Sequence, residues 1–164
     1  MTSREIKLAC GTVSLVDADL YEELSRYKWQ LDYRGYLRRS TTLSGRIRKT
    51  IFLHRCVVNA QPDQMVDHIN GNPLDNRREN LRFAIKSQNH MNMRKRVAKP
   101  TSSQFKGVGL DKRSGKWRAC IKINKKTKYL GMFASEHEAG HAYNKAAIQY
   151  FGEFACLNPV GEEK

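Results

Sequence analysis

Val66–Asp67–His68–Ile69–Asn70–Gly71–Asn72 puts an acid and a histidine at the end of a short extended run and follows them with a tight polar turn. Turn chemistry continues through Pro73 and again at Asp75–Asn76, because Asn, Gly, Asp and Pro each favour a bend for a separate backbone reason. Met65–His68 and Leu81–Ala84 read as two short strands flanking that loop. A helix is expected from Ser87, acting as its cap, to about Lys95. The resulting order is strand, polar loop, strand, helix.

Such a segment suits phosphodiester hydrolysis. That reaction needs a base to activate water, a divalent cation to stabilise charge on the phosphate and leaving oxygen, and hard oxygen ligands to hold the cation. Asp67 and His68 bring two of these groups side by side. Successive side chains of an ideal strand point to opposite faces, so the turn at Asn70–Gly71 has to let both serve one site. Asn89, on the following helix, is a candidate second oxygen ligand.

Leu53–His54–Arg55, Val66 to Asn72, Leu74–Asp75–Asn76–Arg77–Arg78–Glu79–Asn80–Leu81–Arg82 and Gln88–Asn89 follow one another in order. In this combination the chain resembles the HNH nuclease family, specifically its homing-endonuclease branch. The three signature positions fall on His68, Asn80 and Asn89; the last is Asn where many relatives carry His, a form common in this branch. The resemblance implies a ββα-metal core over residues 54–96 around one Mg2+ or Mn2+. It implies that His68 is the general base, that Asp67 and Asn89 are metal ligands, and that Asn80 bonds backbone across the loop and so orients His68. It further implies that His54 and Arg55 line the phosphate site and that Arg77, Arg78 and Arg82 hold the DNA backbone. Asp75 and Asn76 are read as turn formers.

Upstream, residues 1–58 read as a β-rich region with one short helix. Ile6–Leu8 and Thr12–Leu15 are strand-like around Gly11, and Asp17 to Asp19 starts a helix running to about Tyr27. Gly35–Arg39 and Ile47–Leu53 alternate apolar and polar residues around Ser44–Gly45, which suggests a hairpin bearing Arg38, Arg46, Arg48 and Lys49 outward.

Downstream, residues 97–104 are polar and interrupted by Pro100, and read as a linker. Residues 105–158 then give three strands, Phe105–Leu110, Lys116–Ile123 and Lys128–Phe133, and one helix capped by Ser135 with Glu138 three residues on. Ala139, Ala142, Tyr143, Ala146, Ala147 and Tyr150 recur at helical spacing. Small residues let a helix lie close on a sheet, so a three-stranded antiparallel sheet packed on one helix is expected. Lys106–Gly107–Val108, Gly115 to Ala119, Tyr129 to Phe133, Glu138–Ala139, Ala142–Tyr143, Ala146–Ala147 and Leu157–Asn158 resemble the AP2 domain. That resemblance implies a sheet whose open face enters the major groove. Gly109 and Cys120 depart from plant relatives, which often carry Arg and Glu there, so the plant target sequence does not transfer. A β-ribbon fits the major groove, and long basic side chains with interleaved aromatics suit such a face. Arg113 and Arg118 are the candidate base readers, Lys106, Lys116, Lys122 and Lys128 the candidate phosphate contacts, and Trp117 and Tyr129 the aromatics.

Net charge supports a polyanionic partner. Thirty Lys and Arg against sixteen Asp and Glu give +14 over 164 residues. From Lys86 to Lys128 there are fourteen cations and one acid, Asp111. No apolar run approaches the roughly 20 residues of a membrane span, and Met1 to Glu5 lack the apolar stretch of a signal peptide. A soluble cytoplasmic protein of a bacterium or a phage-infected host, without a membrane partner, is therefore expected. Cys10, Cys56, Cys120 and Cys156 are widely separated, so structural zinc is not expected.

The fold class expected is α+β: a β-rich N-terminal region, an HNH core and an AP2-like unit. The function expected is a site-specific, homing-type endonuclease from a phage or mobile element, acting on double-stranded DNA as a monomer. The rival is a DNA-binding regulator with an inactive nuclease core, and the presence of Asp67, His68, Asn80 and Asn89 argues against it. An RNA partner fits the charge less well, because a groove-reading sheet prefers B-form DNA.

Overall fold

The computed structural model describes residues 2–42, 47–95 and 101–161. The chain has the expected α+β class and divides into two compact units, Met1–Lys86 and Ser87–Lys164.

In the first unit β1 (Ser3–Lys7) and β2 (Val13–Asp17) pair antiparallel, and α1 (Ala18–Leu24) follows directly. A second sheet has the order β3 (Gln30–Leu31), β4 (Leu37–Thr42), β5 (Arg48–Phe52). The hairpin expected there is present, while its turn at Ser44–Gly45 and Arg46 lie outside the described residues. Then come α2 (Leu53–Val57), β6 (Met65–His68) and β7 (Leu81–Ala84), the last two paired antiparallel and bounded as the sequence suggests.

Two local expectations are corrected. The strand expected to run to Leu53 ends at Phe52, and α2 follows because Leu53 and Val57, one turn apart, both enter the core. The first helix stops at Leu24 rather than Tyr27, and Trp29 Nε1 donates to Leu24 O at 2.8 Å. Asp17 stands at the N-cap but its side chain does not cap; its carboxylate accepts the Arg78 N–H at 2.9 Å.

Ile6, Leu8, Val16, Leu24, Trp29, Leu37, Leu53, Val57 and Leu81 form one buried cluster. It draws on both the segment read as an N-terminal region and the segment read as the nuclease core, so these fold around a common interior. Backbone bonds stitch them further: Leu15 N–H donates to Leu74 O and Asn76 N–H to Leu15 O, each at 2.9 Å. Strand β2 is thus a wall of the loop between β6 and β7.

The second unit begins with α3 (Lys86–Asn92), which straddles the division. Ser87 lies inside this helix rather than capping it, and the helix ends at Asn92 rather than Lys95. Met91 packs on the core of this unit. The sheet has the order β10 (Lys126–Phe133), β9 (Lys116–Ile123), β8 (Val108–Asp111), all antiparallel. Phe105 is buried but precedes β8, because Gly107 breaks the strand there. Gly107 has φ +75°, and a Cβ on it would lie 2.2 Å from the Tyr143 ring and 2.4 Å from Cys120 O, so no other residue fits. The β9–β10 turn places Asn124 (φ 47°) and Lys125 (φ 67°) both in the left-handed region, as a two-residue hairpin loop requires.

Helix α4 (Glu136–Phe151) covers one sheet face with Ala139, Gly140, Tyr143, Ala146, Ala147 and Phe151. Its capping box forms as read: Ser135 Oγ accepts Glu138 N–H at 3.1 Å, and Glu138 Oε2 accepts Ser135 N–H at 3.4 Å. Tyr150, included in the helix stripe by its spacing, lies at the surface instead.

Candidate active site

The short β6–β7 ladder sets the site. Asp67 pairs with Arg82 and His68 with Leu81. Directly opposed residues share a face, so the Arg82 guanidinium reaches Asp67 Oδ2 from Nε at 3.2 Å and from Nη2 at 3.0 Å. Both side chains are nearly buried, at 11% and 7% exposed. Arg82 was expected on the DNA backbone; its charge is engaged by Asp67 and holds that carboxylate in place.

Buried His68 is hydrogen-bonded at Nε2 to Asn76 Oδ1 at 3.2 Å. Its ring lies 5.7 Å from Tyr36 and 5.2 Å from His54, centre to centre. Burial lowers its pKa, and the Asn76 bond opposes that shift. Burial thus favours the neutral imidazole, the state a general base needs. His54, on α2, is driven to about 3 by burial first and by His68 next. Tyr36, Phe52 and His54 make an aromatic wall around His68, and His54 Nδ1 is buried without a hydrogen-bond partner.

The loop between the strands is held by its own amides. Gly71, at φ +70°, lets its N–H return to His68 O at 2.9 Å. Asn80 Oδ1 accepts Asn70 N–H at 2.9 Å, and Asn80 Nδ2 donates to Asn70 Oδ1 at 3.0 Å and Asp75 O at 2.7 Å. Asn80 thus ties Asn70 to Asp75 across the loop, and Asn76 is a side chain that bonds His68. Asn76 is 1% exposed; its Nδ2 donates to Ser14 Oγ at 2.9 Å and to Pro73 O at 3.1 Å. It is a buried site residue rather than a turn former. Its partner Ser14 comes from β2, 62 positions away, so no local pattern marks the pair. The available signal was Ser14 itself, a polar residue on the inward side of a strand beside Val16.

Arg77 grips Asp75 from Nε and Nη2, each at 2.8 Å, and also contacts Glu79. Its hydrogen bond is the main cause that lowers the Asp75 pKa. Arg78 Nη1 reaches both Asp19 oxygens at 2.9 and 2.8 Å. The two arginines expected on DNA beside Arg82 are thus each committed to acids of the same unit. Arg55 is likewise engaged within the unit, donating at its surface to Gln64 O and Gln61 O at 2.6 Å. Asn89 lies on α3, in the second unit, at an intermediate depth.

Among the described residues, no group of three or more His, Cys, Asp and Glu is placed to hold a metal. The donors suit a hard ion that keeps waters and substrate phosphates in its shell, with one or two protein oxygens, rather than a closed cage of soft ligands. Asp67 is such an oxygen donor beside His68.

In the second unit the two faces of β9 separate cleanly. Trp117, Ala119, Ile121 and Ile123 face α4; Lys116, Arg118, Cys120 and Lys122 face away. Register places Tyr129, opposite Cys120, on the open face. Arg118 lies opposite Gly109, so no side chain from β8 covers it. Arg113, in the β8–β9 turn, is exposed. Three expected DNA contacts are corrected. Trp117 packs on Phe105, Val108, Ala119 and Ala139. Lys128 lies opposite Ile121, on the helix side, and its Nζ donates to Tyr150 Oη at 2.5 Å. Lys106 is half-buried and its Nζ donates to Met91 O and Met93 O, each at 2.7 Å, closing the end of α3.

No helix among the described residues is long and apolar enough to cross a membrane. A family model described as HNH endonuclease matches residues 53–91. The chain is 34% identical over 152 residues to an uncharacterized HNH endonuclease of Acanthamoeba polyphaga mimivirus, covering 92% of this chain and 76% of the relative. It is also 39% identical over 64 residues to APETALA2-like protein 2 of Oryza sativa subsp. indica, covering 39% of this chain and 15% of that protein. A third similarity, 38% over 66 residues, is to an AP2-like ethylene-responsive transcription factor of Arabidopsis thaliana, covering 40% of this chain and 14% of that protein.

Proposed function

The chain belongs to the HNH endonuclease family, and from that premise we propose that it is a site-specific endonuclease of duplex DNA, of the homing type carried by viruses and mobile elements. The observation that carries the cleavage reading is the buried His68, bonded at Nε2 to Asn76 and next in β6 to Asp67, whose charge acts on it.

His68 removes a proton from water as the water oxygen attacks phosphorus, and the bond from phosphorus to the leaving sugar oxygen breaks. A Mg2+ or Mn2+ ion, when bound, supplies positive charge to the phosphate and to that oxygen. Asp67 would hold the ion through its carboxylate, which Arg82 keeps from turning away. Asn89 retains its assignment as second oxygen ligand on the strength of the sequence. Asn80 fixes the loop. One centre per chain cuts one strand per binding event, so a monomer nicks.

Site finding falls to the AP2-like second unit. Arg118, with Arg113 at the adjoining turn, suits base reading; Lys116 and Lys122 suit phosphate, and Tyr129 lies on the same open face. The partial AP2 similarities and the concentration of cations on that face support this assignment.

His68→Ala should lower the nicking rate at least about 100-fold, as loss of a general base does, while duplex affinity in anisotropy titrations stays unchanged. EDTA should abolish nicking by the unaltered protein. A His68→Ala protein that cuts normally with Mg2+ present would overturn the mechanism.

A further inference from the structure

The direction of the bond that holds His68 is dictated from outside the ring. Backbone carbonyls only accept hydrogen bonds. Pro73 O lies 3.1 Å from Asn76 Nδ2, so the amide edge facing it must be the NH2, and the edge facing His68 must be the oxygen. Leu74 O takes the Ser14 hydroxyl proton at 2.9 Å. That commits the hydroxyl hydrogen, so the Ser14 oxygen has only lone pairs to offer and accepts the other Asn76 N–H at 2.9 Å. Two main-chain carbonyls therefore orient each successive bond, from Leu74 through Ser14 and Asn76 to the imidazole. With Asn76 Oδ1 as acceptor, His68 Nε2 must carry the hydrogen, and in the neutral ring Nδ1 carries the lone pair.

We propose that Ser14, on a strand outside the nuclease motif, is a positioning residue of the cleavage centre: through Asn76 it fixes His68 as the Nε2–H tautomer and assigns Nδ1 as the atom that takes the proton from water. The proposal rests on the reading of His68 as the base. Its setting leaves little slack. Ser14 is 0% and Asn76 1% exposed, so bulk water does not stand in for a missing partner. The same stretch of β2 is pinned on the main chain as well, since Leu15 N–H donates to Leu74 O and Leu15 O accepts Asn76 N–H. Ser14 occupies an inward strand position, next to inward Val16, where an apolar residue is the default. Alanine there would fill the interior yet leave one Asn76 N–H without its acceptor and free the amide to tilt.

The test uses the full chain labelled with 15N-histidine, without added metal. Long-range 1H–15N correlation, with His68 assigned by its loss in His68→Gln, should show the Nε2–H tautomer with a slowly exchanging ring proton. In Ser14→Ala that proton should exchange at least about tenfold faster, and kcat for plasmid nicking should fall about tenfold with KM unchanged, the effect of one buried hydrogen bond. Ser14→Cys, which keeps a weak donor and acceptor of similar size, should recover part of both losses. An Nδ1–H tautomer in the unaltered protein would overturn the proposal, and that measurement needs no variant to fold. So would a Ser14→Ala protein whose exchange and kcat both stay within about twofold. An Nδ1–H ring together with loss of cleavage in His68→Ala would overturn the relay alone. Normal cleavage in His68→Ala would overturn the base assignment, and the catalytic role of Ser14 with it.

Discussion

The two units use positive charge in opposite ways. In the first, Arg77, Arg78 and Arg82 each face an acid within 3.0 Å. In the second, Lys116, Arg118 and Lys122 project from one side of β9 and make no ion pair with any described residue. Composition counts these cations alike, yet they do different work. Paired arginines fix the geometry of a small polar site whose parts must not drift. Cations without a carboxylate partner keep their field, and a row of them on one sheet face is the pattern that would attract phosphate at long range.

The comparison breaks first at Arg82. Arg82→Ala leaves the buried Asp67 carboxylate without its countercharge and should cost about 3 kcal/mol of stability, as removal of one member of a buried pair does; urea unfolding measures it. Loss of less than about 1 kcal/mol would place Arg82 with the surface pairs instead. Next is Arg118→Ala. Removal of the proposed base contact should weaken binding to the preferred site by roughly 10- to 100-fold and flatten discrimination among sites, with little change in stability; anisotropy with specific and scrambled duplexes separates the two. Lys122→Ala should act more evenly, weakening all duplexes and reducing the slope of log affinity against log salt by about 1. The smallest effect belongs to Lys128→Ala. Because Lys128 faces α4 and meets Tyr150, duplex affinity should stay within about twofold and the salt slope unchanged. A slope lowered as far as in Lys122→Ala would return Lys128 to the binding face.

Local signals in the sequence were read well, and distant ones were not. The bounds of β6 and β7 follow from the turn residues between them, and those of β9 from two-residue alternation. The α4 cap follows from a four-residue pattern. Asp67, His68 and Asn80 share the first unit because they lie on one hairpin and its loop. The Asn76 role was hidden because its meaning lies in Ser14, on a strand that only tertiary pairing brings near. Arg77 and Arg78 looked like phosphate ligands because Arg next to Arg reads as a basic patch, and the acids that claim them include Asp17 and Asp19 from far upstream. On β10 the difficulty is different. Counting alternate residues back from Phe133 puts Lys128 on the open face, but a bulge between Tyr129 and Gly131 reverses the parity. Helix α2 was missed for its length: five residues following directly on a strand carry too little periodicity to register.

The stitch between β2 and the loop at residues 74–78 has a consequence for the order in which the protein comes into being. Synthesis runs from the N-terminus, so Ser14 and Asp17 leave the ribosome some sixty residues ahead of the groups they bind. Until Leu74, Asn76 and Arg78 have emerged, the wall is present and the loop it supports is not. A nascent chain interrupted before that point holds neither an oriented His68 nor a closed interior, since Leu81 is part of the same cluster. The interior of the first unit can thus close only once about half of the 164-residue chain has been made, and products broken off before Leu81 lack it.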